Sequence, residues 1–218
     1  MSTRIRRSVL WLAVIVLASA ALAIFIALAT SSAPASGTGP VVKDMKGNSV
    51  VLDDGELTPA AEKAMDAVPD AGGRLIAESV GLDVPLGEMN EVDGVITPPG
   101  FTSAYLVRNR GVAPADVANG TTYAVTHSLR NGGVAPGNYL FDVDSGKPTI
   151  AIGATIEVDG TSFVVDKAYT VSKKALPAQT DLWADTPNRL VLITCLQNPA
   201  NSPSSENVVI EAHLEVGK

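Results

Sequence analysis

From Arg74 onward the chain is a succession of short apolar runs cut apart by turn residues, and this pattern restricts what it can fold into. The runs are Leu75–Glu78, Ser103–Val107, Thr121–Thr126, Thr149–Ile152, Thr155–Val158, Ser162–Val171, Arg189–Thr194 and Asn207–Leu214. They are rich in Val, Ile, Thr and Tyr, the residues that suit a pleated, half-buried strand. Asp159-Gly160 stands between two of them and fits a two-residue hairpin turn of type I′. No long stretch repeats apolar residues at helical spacing, and no internal repeat is visible. The expectation is an all-β domain over 74–218, a closed or nearly closed barrel of about eight strands with short helices. That is enough chain for a core of its own.

A second feature precedes the barrel. Val9 to Ala29 is 21 residues without a charge, and Ser19 is its only polar member. At about 1.5 Å per residue such a helix spans roughly 30 Å, the thickness of a bilayer core. Arg4, Arg6 and Arg7 lie just ahead of it, so residues 1–8 are expected inside the cell and the remainder outside. The run is longer than the usual signal-peptide core of about 7–15 residues, which favours an uncleaved signal-anchor over 9–29; the alternative is a cleaved signal peptide, with small residues Ala33 and Ala35 following the run. Residues 30–73 read as an extracytoplasmic stalk, small, polar and rich in Pro and Gly at its start. It carries one short helix, with Thr58 as N-cap and Pro59 at the first helical position. Asp70-Ala-Gly-Gly73 is expected to end that segment. Beyond residue 37 the chain holds 13 basic against 23 acidic residues with no basic cluster, which argues against nucleic acid as a partner.

Chemistry has few candidates. One cysteine excludes an intrachain disulfide and any multi-cysteine metal site, and no cofactor or metal is expected. Cys195 ends the run Arg189-Leu-Val-Leu-Ile-Thr-Cys195, and His127 ends Thr122-Tyr-Ala-Val-Thr-His127. A strand end can present a reactive side chain at the mouth of a barrel while the strand behind it stays rigid. A thiol of ordinary pKa, about 8.5, is only a few per cent thiolate at pH 7, and a neighbouring imidazolium raises that fraction. The imidazole can then protonate a leaving amine. The plainer reading is a small buried hydrophobe and a structural histidine. Against it, an unpaired thiol outside the membrane is an oxidation liability.

Leu192-Ile-Thr-Cys195 resembles the Leu-x-Thr-Cys signature of sortases, and it lies in the penultimate strand as in that family. Thr126-His127-Ser128 resembles the family's strand-end histidine. Tyr139-Leu-Phe-Asp-Val-Asp and Gly153-Ala-Thr-Ile-Glu-Val-Asp-Gly-Thr-Ser-Phe-Val-Val resemble the stretch from the histidine to the central hairpin. Leu75-Ile-Ala-Glu-Ser-Val-Gly-Leu-Asp-Val-Pro-Leu resembles the first strands. The likeness covers most of 74–218 and is nearest in style to the actinobacterial class E and F enzymes; the Asp-Pro-aromatic lid motif of the pilus-building class is absent. The resemblance implies a sortase-like barrel and a membrane-anchored transpeptidase. Cys195 would attack the Thr–Gly carbonyl of a Leu-Pro-x-Thr-Gly-like sorting signal on a secreted protein. The resulting thioester would pass to an amine of a cell-wall precursor, with His127 as general acid and base.

One position departs from the family pattern. Sortases carry an arginine at the start of the last strand, and here that position is Asn207. No arginine or lysine lies between Cys195 and Lys218. Asparagine donates a hydrogen bond but carries no charge. Arg130, three residues past His127 in a Gly-rich loop, is the second candidate for orienting substrate or stabilising an oxyanion. Arg189 is expected about 20 Å from Cys195, on the surface or the barrel floor. Arg108 and Arg110 follow a strand, and Gln197 and Asn198 lie in a loop that could reach substrate. His213 reads as an edge or surface residue, and Asp142 and Asp144 as a turn rather than a calcium site. Two rivals to the enzyme stay open. One is a catalytically weak sortase-fold protein that binds peptide, and the other an unrelated anchored β-domain acting as a receptor or assembly factor. The irregular stretches 79–102 and 173–188 read as loops.

Overall fold

The computed structural model describes residues 42–50 and 58–216. The 9–29 run, for which a membrane helix is expected, lies outside the described residues. Among the described residues no helix is long and apolar enough to cross a membrane. The strands are β1 (Val42–Lys43), β2 (Ser49–Val50), β3 (Val68–Ala77), β4 (Leu82–Met89), β5 (Ala104–Val107) and β6 (Thr121–Thr126). There follow β7 (Phe141–Asp142), β8 (Lys147–Pro148), β9 (Thr155–Val158), β10 (Thr161–Ser172), β11 (Arg189–Leu196) and β12 (Glu206–Leu214). The one α-helix among the described residues is α1 (Pro59–Met65). Eight strands close into a barrel in the order β10-β12-β11-β6-β5-β4-β3-β9.

Closure gives the barrel wall two apolar faces. Leu190, Leu192 and Leu196 of β11 point inward, with Val208, Ile210 and Ala212 of β12, Val84 and Leu86 of β4 and Phe163 of β10. Complete burial of each large side chain in such a core contributes roughly 1.5–3 kcal/mol. The alternate residues form a second cluster on the outside: Val191 and Ile193 of β11, Tyr123 and Val125 of β6, Val209 of β12 and Tyr105 of β5. Met65 of α1 and Leu182 and Trp183 of the β10–β11 connection cover it. Strands buried on both faces read as nearly continuous apolar runs, which is why β6 and β11 stand out so plainly in the sequence.

The Asp159-Gly160 hairpin forms as expected, with both residues at positive φ, 49° and 75°. Thr58 caps α1 by accepting from the Ala61 N–H at 3.2 Å, and Pro59 opens the helix. Three expectations need correction. The folded unit begins before Arg74: α1 ends at Asp66 in a left-handed conformation, and Asp70–Gly73 lie within β3, whose pairing with β4 shifts register between Val68 and Gly73. The β1–β2 hairpin also docks on this unit, through the Met45 N–H to the Val134 carbonyl at 2.9 Å.

The 79–102 stretch is not wholly irregular, because it holds β4. Leu82, Val84 and Leu86 alternate inward, a pattern masked by Pro85 and Gly87. Pro85 is tolerated because the β4–β5 pairing starts one residue later, at Leu86, so the N–H it lacks is not missed on that side. Gly87 is required, since a Cβ there would lie 2.4 Å from the Val68 carbonyl oxygen. Thr149–Ile152 is not a strand. The chain there pairs only at Lys147–Pro148, after a turn in which the Ser145 N–H donates to the Asp142 carboxylate at 2.7 Å.

Candidate active site

β11 runs parallel to β6, and their register ends on the pair Thr194–Thr126. The next residue on each strand is Cys195 and His127, so the two candidates leave neighbouring strands at the same level. Adjacent strands lie about 4.8 Å apart. Parity puts both on the outer face of the wall, with Val191, Ile193, Tyr123 and Val125. They are therefore not in the barrel mouth, where strand ends alone would place them. The inward neighbours Thr194 and Thr126 are 2% and 4% exposed, whereas Cys195 and His127 are half-buried.

Across β11 on the other side, Cys195 pairs with Asn207 of β12, and Asn207 pairs with Val171 of β10. Four strands thus carry one row of side chains, His127, Cys195, Asn207 and Val171. The Cys195 carbonyl accepts a hydrogen bond from the Ser128 hydroxyl, on the β6 side. Its main-chain groups therefore face β6, and Cys195–Asn207 is a pair that exchanges no main-chain bonds. Such pairs have Cα atoms about 4.5 Å apart and side chains close together. Asn207 is 6% exposed, a buried amide beside the sulfur.

A main-chain carbonyl holds the imidazole. His127 Nε2 lies 2.7 Å from the Pro98 carbonyl oxygen, which can only accept, so Nε2 bears a proton. Nδ1 is then the nitrogen whose protonation can change. The Phe101 ring packs on the imidazole with centroids 4.7 Å apart. This follows the general logic in which a third group orients the base. Below the row, the Tyr169 hydroxyl donates to Glu211 Oε1 at 3.1 Å. Burial, then the charge and hydrogen bond of Glu211, push the Tyr169 phenol up to about 12, so it stays a neutral donor.

The loops at this end are tied together. The Arg130 guanidinium donates to the Asn201 carbonyl at 3.1 Å, and the Asn131 N–H to the Asn201 side-chain oxygen at 3.2 Å. Arg130 thus lies at the Cys195 end of the barrel, bracing the β6–β7 loop against the β11–β12 loop. Gln197, read from sequence as able to reach substrate, turns inward instead: it is 4% exposed and donates to Ser128. Asn198 bonds within its own turn, to the Ser202 carbonyl.

The remaining basic candidates lie elsewhere. Arg189 is at the opposite end of β11 and, at 13% side-chain exposure, is not a surface residue. Its guanidinium bonds to Thr121 and to the carbonyls of Asp181, Leu182 and Ala184, and so clips the β10–β11 connection down. Arg108 is paired with Asp66 and Glu88, and Arg110 with Glu91 beneath the Trp183 ring. His213 is exposed on the outer face and bonded to Asp166 at 2.8 Å.

Sequence alone does not assign the contacts of Pro98, Phe101, Ser128 and Gly137 around His127 and Cys195. The signal for the first two was Thr97-Pro-Pro-Gly-Phe101, a stiff segment that delivers an aromatic ring. Gly137 carries a sharper one, because a Cβ there would lie 2.0 Å from Thr194 Oγ1.

No protein-family model and no curated protein matches this sequence. Among solved structures the chain is similar to sortase A from Listeria monocytogenes, at 15% identity and a TM-score of 0.47, covering 66% of this chain and 86% of that one. It is similar to a lid mutant of sortase A from Corynebacterium diphtheriae at 18% identity, 67% and 70% coverage and a TM-score of 0.46. Sortase C-1 from Streptococcus pneumoniae is 11% identical, with 76% of each chain covered and a TM-score of 0.47. These similar structures are all sortases.

Proposed function

We propose that this chain is a sortase-type cysteine transpeptidase, anchored by the 9–29 segment with its barrel outside the cell. The observation that supports the reading is that Cys195 and His127 each directly follow the last pair of the β6–β11 register, Thr194–Thr126, with the same parity on the wall. The Cys195 thiolate would attack the Thr carbonyl of a Leu-Pro-x-Thr-Gly-like signal. A C–S bond forms, the Thr–Gly C–N bond breaks, and His127 gives its proton to the departing glycine amine. An incoming amine of a cell-wall precursor then attacks the thioester, His127 takes its proton, and the C–S bond breaks as the new amide forms. Asn207, opposite Cys195, would donate to the oxyanion, and the Pro98 carbonyl would hold the imidazole during both transfers.

The test is transfer itself. The chain is incubated with Leu-Pro-x-Thr-Gly-type peptides and an amine, and products are read by mass. A new amide whose yield depends on the amine and is lost in Cys195→Ala supports the proposal. A second reading draws on the neutral Asn207, where a charged donor would stabilise an oxyanion better: a peptide-binding protein of low activity. Saturable peptide binding without product favours it. Neither binding nor product points to a receptor or assembly domain.

A further inference from the structure

The parallel β6–β11 ladder stops at Thr194–Thr126, yet a side-chain hydrogen bond still ties the two segments together at the level of Cys195. The Ser128 hydroxyl donates to the Cys195 carbonyl, in the place a further main-chain rung would occupy. Gln197, two residues past Cys195, donates from Nε2 to the Ser128 carbonyl at 3.1 Å and to its hydroxyl oxygen at 3.0 Å. The amide orientation is chemically determined, because the Ser128 carbonyl can only accept. Ser128 and Gln197 are 5% and 4% exposed, so the group is shut off from solvent.

The arrangement leaves Gln197 Oε1 buried without a partner, which costs stability. An apolar side chain at 197 would avoid that cost but would leave the Ser128 carbonyl without its donor. We infer that Ser128 and Gln197 form a clasp that holds the Cys195 peptide in register with His127, making both of them positioning residues. The inference rests on the proposed chemistry for its purpose, but its mechanical part is measurable without any substrate.

Cys195 is the only cysteine, so alkylation by iodoacetamide reports on it alone. In the full chain, Ser128→Ala should move the pH of half-maximal alkylation upward by about one unit and lower kcat for peptide transfer about tenfold, with KM nearly constant. Ser128→Thr, which keeps the hydroxyl, should restore the profile. Gln197→Met, close in volume, should act in the same direction as Ser128→Ala and serves if that variant fails to fold. An unchanged alkylation profile alongside a lowered Tm would overturn the clasp and leave a purely structural role. A shifted profile in a chain that transfers no peptide would keep the clasp and sink the transpeptidase. Transfer with no shift would do the reverse.

Discussion

The Gly137 N–H donates to the His127 carbonyl oxygen at 2.8 Å, and this bond fixes the main chain of the proposed base from the barrel side. A Cβ on residue 137 would lie 2.6 Å from that same oxygen and 2.0 Å from Thr194 Oγ1. Backbone cannot yield cheaply, so the strand ends must part. Gly137→Ala should therefore destabilise the fold by about 1–3 kcal/mol. Transfer activity should fall by about 10²-fold, since displacing a reacting group by roughly 1 Å costs that much. Thermal melts and kinetics on one preparation check both, and a variant with native activity would show that Gly137 does not set the His127 position.

Asn207 stands opposite Cys195 in the β11–β12 register and is the proposed oxyanion donor. Loss of one such donor typically lowers kcat by about 10²–10³. Asn207→Ala should show that fall in kcat with a small change in KM. Equal kcat in the variant would move the oxyanion site elsewhere along the row.

The sequence made β5, β6, β9, β10, β11 and β12 legible because each is a short run rich in Val, Ile, Thr, Tyr or other apolar residues set between turn segments. It showed β4 only through the family resemblance, since Pro85 and Gly87 break its alternation, and it hid the start of β3, whose register shift produces no regular pattern. Cys195 and His127 could be picked out at the ends of apolar runs, and Asn207 by counting along the last strand against the family pattern, since a strand counts residues reliably. The contacts of Pro98, Ser128 and Gln197 could not be, because they run through a carbonyl and buried hydrogen bonds made by loops. Residue type says little about where a loop turns, so the inward direction of Gln197, two residues past Cys195, is not legible in the sequence.

Asp44 links the β1–β2 hairpin to the loop that follows His127. Its carboxylate accepts from the Asn48 side chain at 3.0 Å, the Asn48 N–H at 2.8 Å, the Val134 N–H at 3.1 Å and the Lys46 N–H at 2.9 Å. Burial alone would raise its pKa, but these donors outweigh it and hold the group at about 2. A carboxylate depressed in the folded state contributes stability that is complete above its unfolded pKa. That contribution is lost as pH falls from about 4 toward 2. Urea midpoints should accordingly drop more steeply over this window in the native chain than in Asp44→Asn. Parallel curves would show that the hairpin dock carries no acid-labile stability.

The central claim is that Cys195 becomes acylated by the peptide it cleaves, with His127 serving that step. Intact mass of the chain after exposure to a Leu-Pro-x-Thr-Gly-type peptide without added amine tests it most directly. The expected gain equals the peptide up to its threonine, is labile to hydroxylamine, is absent in Cys195→Ala and forms much more slowly in His127→Ala. A chain that cleaves the peptide but carries no adduct on Cys195, or one acylated equally fast without His127, would contradict it.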